Sequence, residues 1–143
     1  MSRKDAVERK HTPGALAWID LEMTGLDAQS DVILQAADLF VLPSYAEGLS
    51  LSLLEAMAQH LPVVASDIPG NRQLVDNQVH GRLVPVRDPV ALARVIEAAL
   101  AEQGASAEMA EAAFQRVRQS YSLETMALGH LELFSQALSE ASP

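Results

Sequence analysis

Short apolar runs and longer amphipathic stretches alternate along the chain from residue 16 onward. The apolar runs predict strands over residues 16–23, 38–42, 62–65 and 82–86. The run at residues 38–42 is compact and is ended by Pro43, which is typical of a buried parallel strand. Helices are predicted over residues 30–37 and 50–60. Strands that alternate with helices predict an α/β fold built on a parallel sheet.

The C-terminal third of the chain is predicted to form three helices. Asp88 caps the first and Pro89 occupies its first turn, and Gly104 is expected to end it. The second is predicted over residues 106–118, and the third begins at Ser122. The third carries an apolar stripe that we expect to face the core, formed by Leu123, Met126, Leu131, Phe134 and Leu138.

Composition places the chain among globular proteins that fold as one domain. Hydrophobic residues make up 49% of its 143 residues and charged residues 20%, and no apolar run approaches the roughly 18 residues of a membrane span. There is no cysteine, which excludes disulfides and thiolate metal sites, and the four histidines lack metal-ligand spacing. The charged N-terminus precedes no apolar stretch, so we expect no secretory leader and a cytoplasmic location.

Charge is distributed unevenly along the sequence. The formal net charge is −9, yet four basic residues fall in the first ten positions, namely Arg3, Lys4, Arg9 and Lys10. We interpret residues 1–15 as a basic, solvated and poorly ordered segment, and residues 16–143 as the folded domain. A domain this acidic repels a phosphate backbone, so nucleic acid is not an expected partner.

Chemistry is expected in the loop that follows the strand at residues 38–42. In open α/β sheets, ligands bind beyond the carboxyl ends of the strands, where a loop leads into a helix. Gly48 allows the backbone to approach a ligand, and the amides of residues 49–51 at a helix N-terminus favour an anion such as a diphosphate. Glu55, further into this helix, suits sugar hydroxyls better than a phosphate. The same glycine and carboxylate are also common in purely structural turns and helix starts, so the spacing alone leaves both interpretations open.

Residues 37–75 resemble a known family. The stretch ADLFVLPSYAEGLSLSLLEAMAQHLPVVASDIPGNRQLV resembles the donor-binding half of retaining, nucleotide-sugar-dependent glycosyltransferases of group 1 (family 4), which have the GT-B fold. Their Glu-x7-Glu motif falls on Glu47 and Glu55. The likeness extends over about residues 24–140. It implies a Rossmann-like parallel sheet with flanking helices, corresponding to part of the C-terminal GT-B domain.

The resemblance implies a role for each matched residue. Glu47 contacts the transferred sugar and is the implied catalytic residue, whereas Glu55 binds the donor ribose. The diphosphate is held by the backbone of three residues, Gly48, Leu49 and Ser50. The implied donor is a nucleotide-diphosphate sugar, with no cofactor and no bound metal. Arg72, after the next turn, lies where it can reach a phosphate.

Departures from the family pattern bear on activity. His60 stands where the family usually has glycine, and Gln73 stands where it often has glutamate. The preceding strands, with the basic residues that neutralise the donor phosphates, and the acceptor domain have no counterpart in the sequence. We therefore expect an incomplete transferase that is weak or inactive alone. The alternative is a non-catalytic half-fold that forms a homo-oligomer through an exposed sheet edge.

Residues 18–27 (WIDLEMTGLD) carry a second resemblance, to the opening acidic motif of oligoribonucleases. Asp20 and Glu22 lie two apart on a predicted strand, so both point to one face, where they can bridge two divalent ions. The later acidic residues and the histidine base of that chemistry have no counterpart in the expected setting. We interpret the segment as a junction of two unlike sequences or as a coincidence within a strand, and a two-metal exonuclease as the less favoured function.

Other large or titratable side chains are interpreted as structural. Four are predicted core residues, namely Trp18, Phe40, Met57 and Phe134. His130 falls on the apolar stripe of the last helix and is interpreted as a packed or edge histidine rather than a base. Arg82 and Arg87 are predicted to be surface arginines.

Overall fold

The computed structural model describes residues 16–17, 34 and 36–140, and the side chains of all of these except residues 16, 17, 123 and 138–140. The strands are β1 (Leu16–Ala17), β2 (Leu39–Leu42), β3 (Val63–Ser66) and β4 (Arg82–Val84). The helices are α1 (Leu51–Ala58), α2 (Pro69–Leu74), α3 (Pro89–Ala101), α4 (Gln103–Ser120) and α5 (Leu123–Glu140). The predicted basic segment, Trp18, and the acidic pair Asp20 and Glu22 lie outside the described residues.

The four strands form one parallel sheet in the order β1-β2-β3-β4. Phe40 of β2 pairs with Val63 of β3, and Ala65 of β3 pairs with Leu83 of β4. Because the strands are parallel, the loops that follow β2, β3 and β4 all leave from one edge of the sheet. The α/β prediction is confirmed, and β2, β3 and β4 begin and end within two residues of their predicted positions.

Helices cover both faces of the sheet, which explains why β2 is apolar at every position. On one face, Phe40 packs in a buried cluster with Met57 of α1 and Ala113 of α4. On the other face, Val41 and Val64 pack with α3. Phe40 and Met57 are therefore confirmed as core residues. The two layers hold the strand ends, and the loops that leave them, in fixed positions.

Side-chain caps set the starts of two helices. The Ser50 hydroxyl accepts a hydrogen bond from the Leu53 amide at 3.3 Å and caps α1. A carboxylate oxygen of Asp88 accepts one from the Ala91 amide at 2.8 Å and caps α3, with proline at the first helical position. The Asp88 cap was predicted from the sequence, whereas Ser50, predicted as the first residue of its helix, is instead the residue that caps it. The prediction that Gly104 ends α3 is wrong, since α3 ends at Ala101 and this glycine lies inside α4.

Arg82 is a buried arginine, so its prediction as a surface residue is wrong. It is only 5% exposed and lies on β4. Its guanidinium donates to the Ser106 hydroxyl at 2.8 Å and to the Glu102 carboxylate at 2.7 Å. The Ser106 hydroxyl in turn donates to the Ala99 carbonyl at 2.8 Å. The arginine therefore ties the sheet to the corner between α3 and α4, where helix ends leave polar groups to satisfy.

The apolar stripe of α5 is exposed, contrary to the sequence-based prediction. Phe134, predicted to be a core residue, is 64% exposed, and Met126 and Leu131 are also more than half exposed. No side chain of α5 that the structure describes is buried. His130 is exposed as well, with its Nδ1 2.8 Å from the Met126 carbonyl oxygen. Periodicity identified the apolar face correctly but carries no information about which element covers it.

Candidate functional site

The loop between β2 and α1 lies at the carboxyl edge of the sheet. Glu47 is partly buried there, and Gly48 and Leu49 are exposed. A Cβ atom on Gly48 would meet nothing within 4 Å. The space around this glycine is therefore open.

The start of α1 presents unsatisfied amides to this space. The Ser50 side chain satisfies the Leu53 amide, and the Ser50 carbonyl accepts the Leu54 amide at 3.2 Å. The amides of Leu51 and Ser52 precede the first intrahelical bond, so the helix offers them no acceptor. The first turn also lacks an acidic side chain. This end of α1 therefore favours an anion, since the helix dipole is positive there and the first turn itself carries no carboxylate.

Glu55 lies in the second turn of α1 and is partly buried. It follows Leu51 by four residues and Ser52 by three, so all three share one side of the helix. The residue pair predicted from the Glu-x7-Glu spacing is thereby placed around the same helix start, with Glu47 before it and Glu55 one turn into it.

A short helix that the sequence analysis missed, α2, supports the loop from behind. Gly70, its second residue, is buried against the loop backbone. A Cβ atom here would lie 2.5 Å from the Gly48 carbonyl oxygen and even closer to that of Glu47. Only glycine permits this approach. The available signal in the sequence was Pro69, since proline is favoured at the first position of a helix.

Arg72 on α2 forms an ion pair with a carboxylate. Its Nε lies 2.5 Å from an oxygen of Asp67, and both side chains are exposed. The hydrogen bond from Arg72 lowers the pKa of the Asp67 carboxyl and, in the same way, raises the pKa of the guanidinium. A phosphate would therefore compete with Asp67 for this arginine.

Contacts with β3 and α4 hold α2 in place. The Asn71 amide donates to the Ser66 carbonyl at 2.9 Å, and its own oxygen is buried without a hydrogen-bond partner among the described residues. The Gln73 carbonyl accepts hydrogen bonds from Arg116 at 2.9 Å and from Tyr121 at 3.2 Å. Because α2 is anchored at these points, it is a fixed support for the Glu47–Gly48 loop.

His60 adopts the backbone conformation that glycine usually supplies. Its φ is 56°, in the left-handed region. Its ring stacks on Phe114 with centroids 3.7 Å apart, and its Nδ1 lies 3.1 Å from a carboxylate oxygen of Glu111. These contacts with α4 compensate for the strain, so the turn into β3 forms despite the departure from the family pattern.

Two further features are absent from the part of the chain that the structure describes. No group of three or more histidine, cysteine, aspartate or glutamate side chains is arranged to hold a metal ion there. No described helix is long and apolar enough to cross a membrane.

Comparison with known proteins identifies the family. The model of the family described as glycosyl transferases group 1 matches residues 15–116, which is more than half of the chain. The chain therefore belongs to this family.

Curated relatives and solved structures support the same family assignment. The D-inositol 3-phosphate glycosyltransferase of Salinispora arenicola is 37% identical over 109 residues, covering 76% of this chain and 24% of the relative. Sucrose-phosphate synthase from Thermosynechococcus elongatus superposes with a TM-score of 0.71 at 34% identity, covering 77% of this chain and 28% of that one. Anabaena Alr3699/HepE in complex with UDP-glucose superposes with a TM-score of 0.72 at 27% identity, and the match covers 79% of this chain and 31% of that one. The fold is thus that of GT-B glycosyltransferases, and the chain spans about a quarter of the length of the first curated relatives.

Proposed function

We propose that this chain is the donor-binding part of a retaining glycosyltransferase that moves a hexosyl group from a nucleotide-diphosphate sugar. The observation that carries the proposal is the start of α1, which Ser50 caps and whose first turn has no acidic residue, beside the open space at Gly48. The likeness to a solved structure in complex with UDP-glucose supports the same ligand class. The motif Glu-x7-Glu brings a carboxylate to each side of that helix start.

Each residue of the site has a proposed role. The diphosphate lies at the N-terminus of α1, bound by backbone amides around three residues, Gly48, Leu49 and Ser50. Glu55 accepts hydrogen bonds from the ribose hydroxyls, and Glu47 contacts the transferred sugar. Arg72 exchanges Asp67 for a phosphate oxygen when the donor binds.

In the proposed transfer, the bond between the sugar C1 and the diphosphate oxygen breaks, and the diphosphate leaves with the electron pair. The acceptor hydroxyl oxygen forms the new bond to C1 on the same face of the ring. The hydroxyl proton passes to the departing diphosphate, which balances the charge. The helix start of α1 stabilises the negative charge that develops on the leaving group.

We propose that the 143 residues supply the donor side of this reaction, with weak transfer or none by themselves. The relatives are about four times as long as the matched segment. In a GT-B transferase, as the resemblance implies, the reaction takes place in a cleft between two domains. Binding of the donor, rather than turnover, is therefore the property to measure on this chain.

Calorimetric titration with UDP, GDP and ADP, with and without Mg²⁺, tests the proposal. One nucleotide is expected to bind without metal. Glu55→Ala is expected to lower the affinity for this nucleotide at least about tenfold, because the hydrogen bonds between the carboxylate and the ribose are lost. Glu97→Ala, an exposed carboxylate on α3, is the matched control and should leave the affinity unchanged. Binding that requires Mg²⁺ and is indifferent to Glu55 would contradict the proposal and direct attention to Asp20 and Glu22.

A second candidate function is non-catalytic self-association. The exposed apolar residues of α5, including Leu128, Leu131 and Phe134, favour it because surfaces of this kind commonly mark interfaces. A sheet edge of this chain is a further proposed contact. Sedimentation at tens of micromolar is expected to show a homo-oligomer that Leu131→Glu dissociates, whereas a wild-type monomer would exclude this function.

A further inference from the structure

The segment between β2 and Glu47 is weakly held by the backbone. Within the described part of the chain, residues 44–47 make no hydrogen bond from backbone to backbone, and Tyr45 and Ala46 are exposed. The close packing of Gly70 against the loop begins only at the Glu47 carbonyl oxygen. Segments with few buried contacts open locally at a low cost in free energy. A side-chain contact within this segment therefore decides how firmly the backbone before Glu47 is held.

Tyr45 makes such a contact with Arg87, which belongs to the loop between β4 and α3. The Arg87 guanidinium lies 5.7 Å from the centre of the Tyr45 ring, within the range of a cation–π contact. Both side chains lie at the carboxyl edge of the sheet, where they line the same cleft. Arg87 is exposed, as the sequence predicts. The contact nevertheless joins two loops that follow different strands.

Arg87 is the more firmly placed of the two partners. Its φ is 61°, in the left-handed region that residues with a side chain rarely adopt. Such a conformation persists only where the surrounding structure holds it, and it is most common at functional sites. Directly after it, the Asp88 carboxylate accepts the Ala91 amide at 2.8 Å and caps α3. Arg87 thus stands on a fixed turn, from which it can hold the Tyr45 segment.

We propose that Arg87 is a positioning residue for the transfer reaction. Its guanidinium holds the Tyr45 ring, which fixes the backbone that leads into Glu47 and keeps this carboxylate directed at the transferred sugar. Arg87 itself contacts neither the donor nor the acceptor. The inference rests on the proposed function, in which Glu47 contacts the sugar. The proposed diphosphate and ribose contacts lie on α1, which has its own cap at Ser50, so they do not depend on Arg87.

Calorimetric titration of the full chain with UDP and UDP-glucose tests the inference. Arg87→Met keeps an apolar stem and removes the charge. It should lower the affinity for UDP-glucose about two- to fivefold, the range that an exposed cation–π contact allows, and leave the affinity for UDP unchanged. Tyr45→Leu should have the same effect, whereas Tyr45→Phe, which keeps the aromatic face, should bind both ligands as the wild type does.

The chain offers a matched control for Arg87→Met. The Arg118 guanidinium lies 5.6 Å from the centre of the Phe114 ring, so it makes the same kind of contact, but within α4. Arg118→Met should therefore leave the affinities for UDP and UDP-glucose unchanged. Arg87→Lys keeps the charge and should recover part of the affinity for UDP-glucose that Arg87→Met loses.

Combined variants show whether Arg87 acts through Tyr45 and Glu47. The double variant of Tyr45→Leu with Arg87→Met should lose no more affinity for UDP-glucose than either single variant. In a Glu47→Ala background, Arg87→Met should have no further effect. Nitrogen-15 relaxation of the ligand-free chain should show greater mobility of the Ala46 and Glu47 amides in Arg87→Met, and no change at Leu53 in α1.

The outcomes separate this inference from the donor proposal. Equal losses for UDP and UDP-glucose in Arg87→Met would show a direct contact with the nucleotide and overturn the positioning role. Additive losses in the double variant, or unchanged relaxation at Glu47, would also overturn it. If the wild type binds both ligands and Arg87→Met keeps the ratio of their affinities, only this inference fails. If the wild type binds neither, the donor proposal fails and the positioning role fails with it, whatever the relaxation data show.

Discussion

Gly70→Ala is expected to destabilise the chain by roughly 1–3 kcal/mol, as overpacking of a tight contact does, and to abolish nucleotide binding. The added Cβ would lie 2.5 Å from the Gly48 carbonyl oxygen and closer still to that of Glu47. Both neighbours are backbone atoms, so relief requires the whole loop to move. Since this loop joins β2 to the start of α1, its displacement removes the proposed diphosphate site. Urea denaturation and UDP titration of the variant measure the two effects.

Two other glycines provide matched controls for this variant. Gly48 has nothing within 4 Å of its Cβ position and is outside the left-handed region, so Gly48→Ala should fold normally and lose nucleotide affinity alone. Gly104 lies within α4, also in open space, and Gly104→Ala should stabilise the chain by about 0.5–1 kcal/mol without affecting binding. A Gly70→Ala protein as stable as the wild type would contradict the close packing of α2 against the loop.

Arg82→Ala is expected to lower the free energy of unfolding by about 2–3 kcal/mol. The change removes the hydrogen bonds to Ser106 and Glu102 and leaves a gap at the junction of β4 with the corner between α3 and α4. Glu102 is largely exposed and becomes hydrated, which limits the loss. The buried Ser106 hydroxyl keeps only its bond to Ala99. Chemical denaturation gives the difference directly.

Arg82→Met separates the polar contacts from the packing of the arginine stem. Because methionine fills much of the same volume, it should recover part of the lost stability. Arg94→Ala on α3 is the surface control and should change stability by no more than about 0.5 kcal/mol. An Arg82→Ala protein that unfolds like the Arg94→Ala protein would show that the buried network contributes nothing.

The sequence predicted the elements that position the site because their signals are local. A compact apolar run before Pro43 predicted β2, and Asp88 predicted the start of α3 through a hydrogen bond that spans three residues. The proposed roles of Glu47 and Glu55 rest on a motif of fixed spacing. These features depend on neighbours along the chain, so the sequence contains the information needed to find them.

Contacts between distant segments were not predictable in the same way. Arg82 is buried because residues about twenty positions later fold over it. Gly70 is needed because the Glu47–Gly48 loop lies against it, and nothing in its own neighbourhood indicates that contact. The apolar stripe on α5 was expected to pack against the core because amphipathic helices usually bury such a face, yet its apolar residues are exposed. In each case the decisive partner lies elsewhere in the sequence.

The central claim is that Glu55 binds the ribose of a nucleoside diphosphate seated at the start of α1. A thermodynamic cycle tests it most directly, with UDP and 2′,3′-dideoxy-UDP titrated into the wild type and Glu55→Ala. The account predicts that Glu55→Ala lowers the affinity for UDP at least about tenfold and leaves the affinity for the dideoxy compound unchanged. Only UDP has the ribose hydroxyls from which the carboxylate accepts hydrogen bonds. Equal losses for both ligands, or no binding of UDP by the wild type, would contradict it.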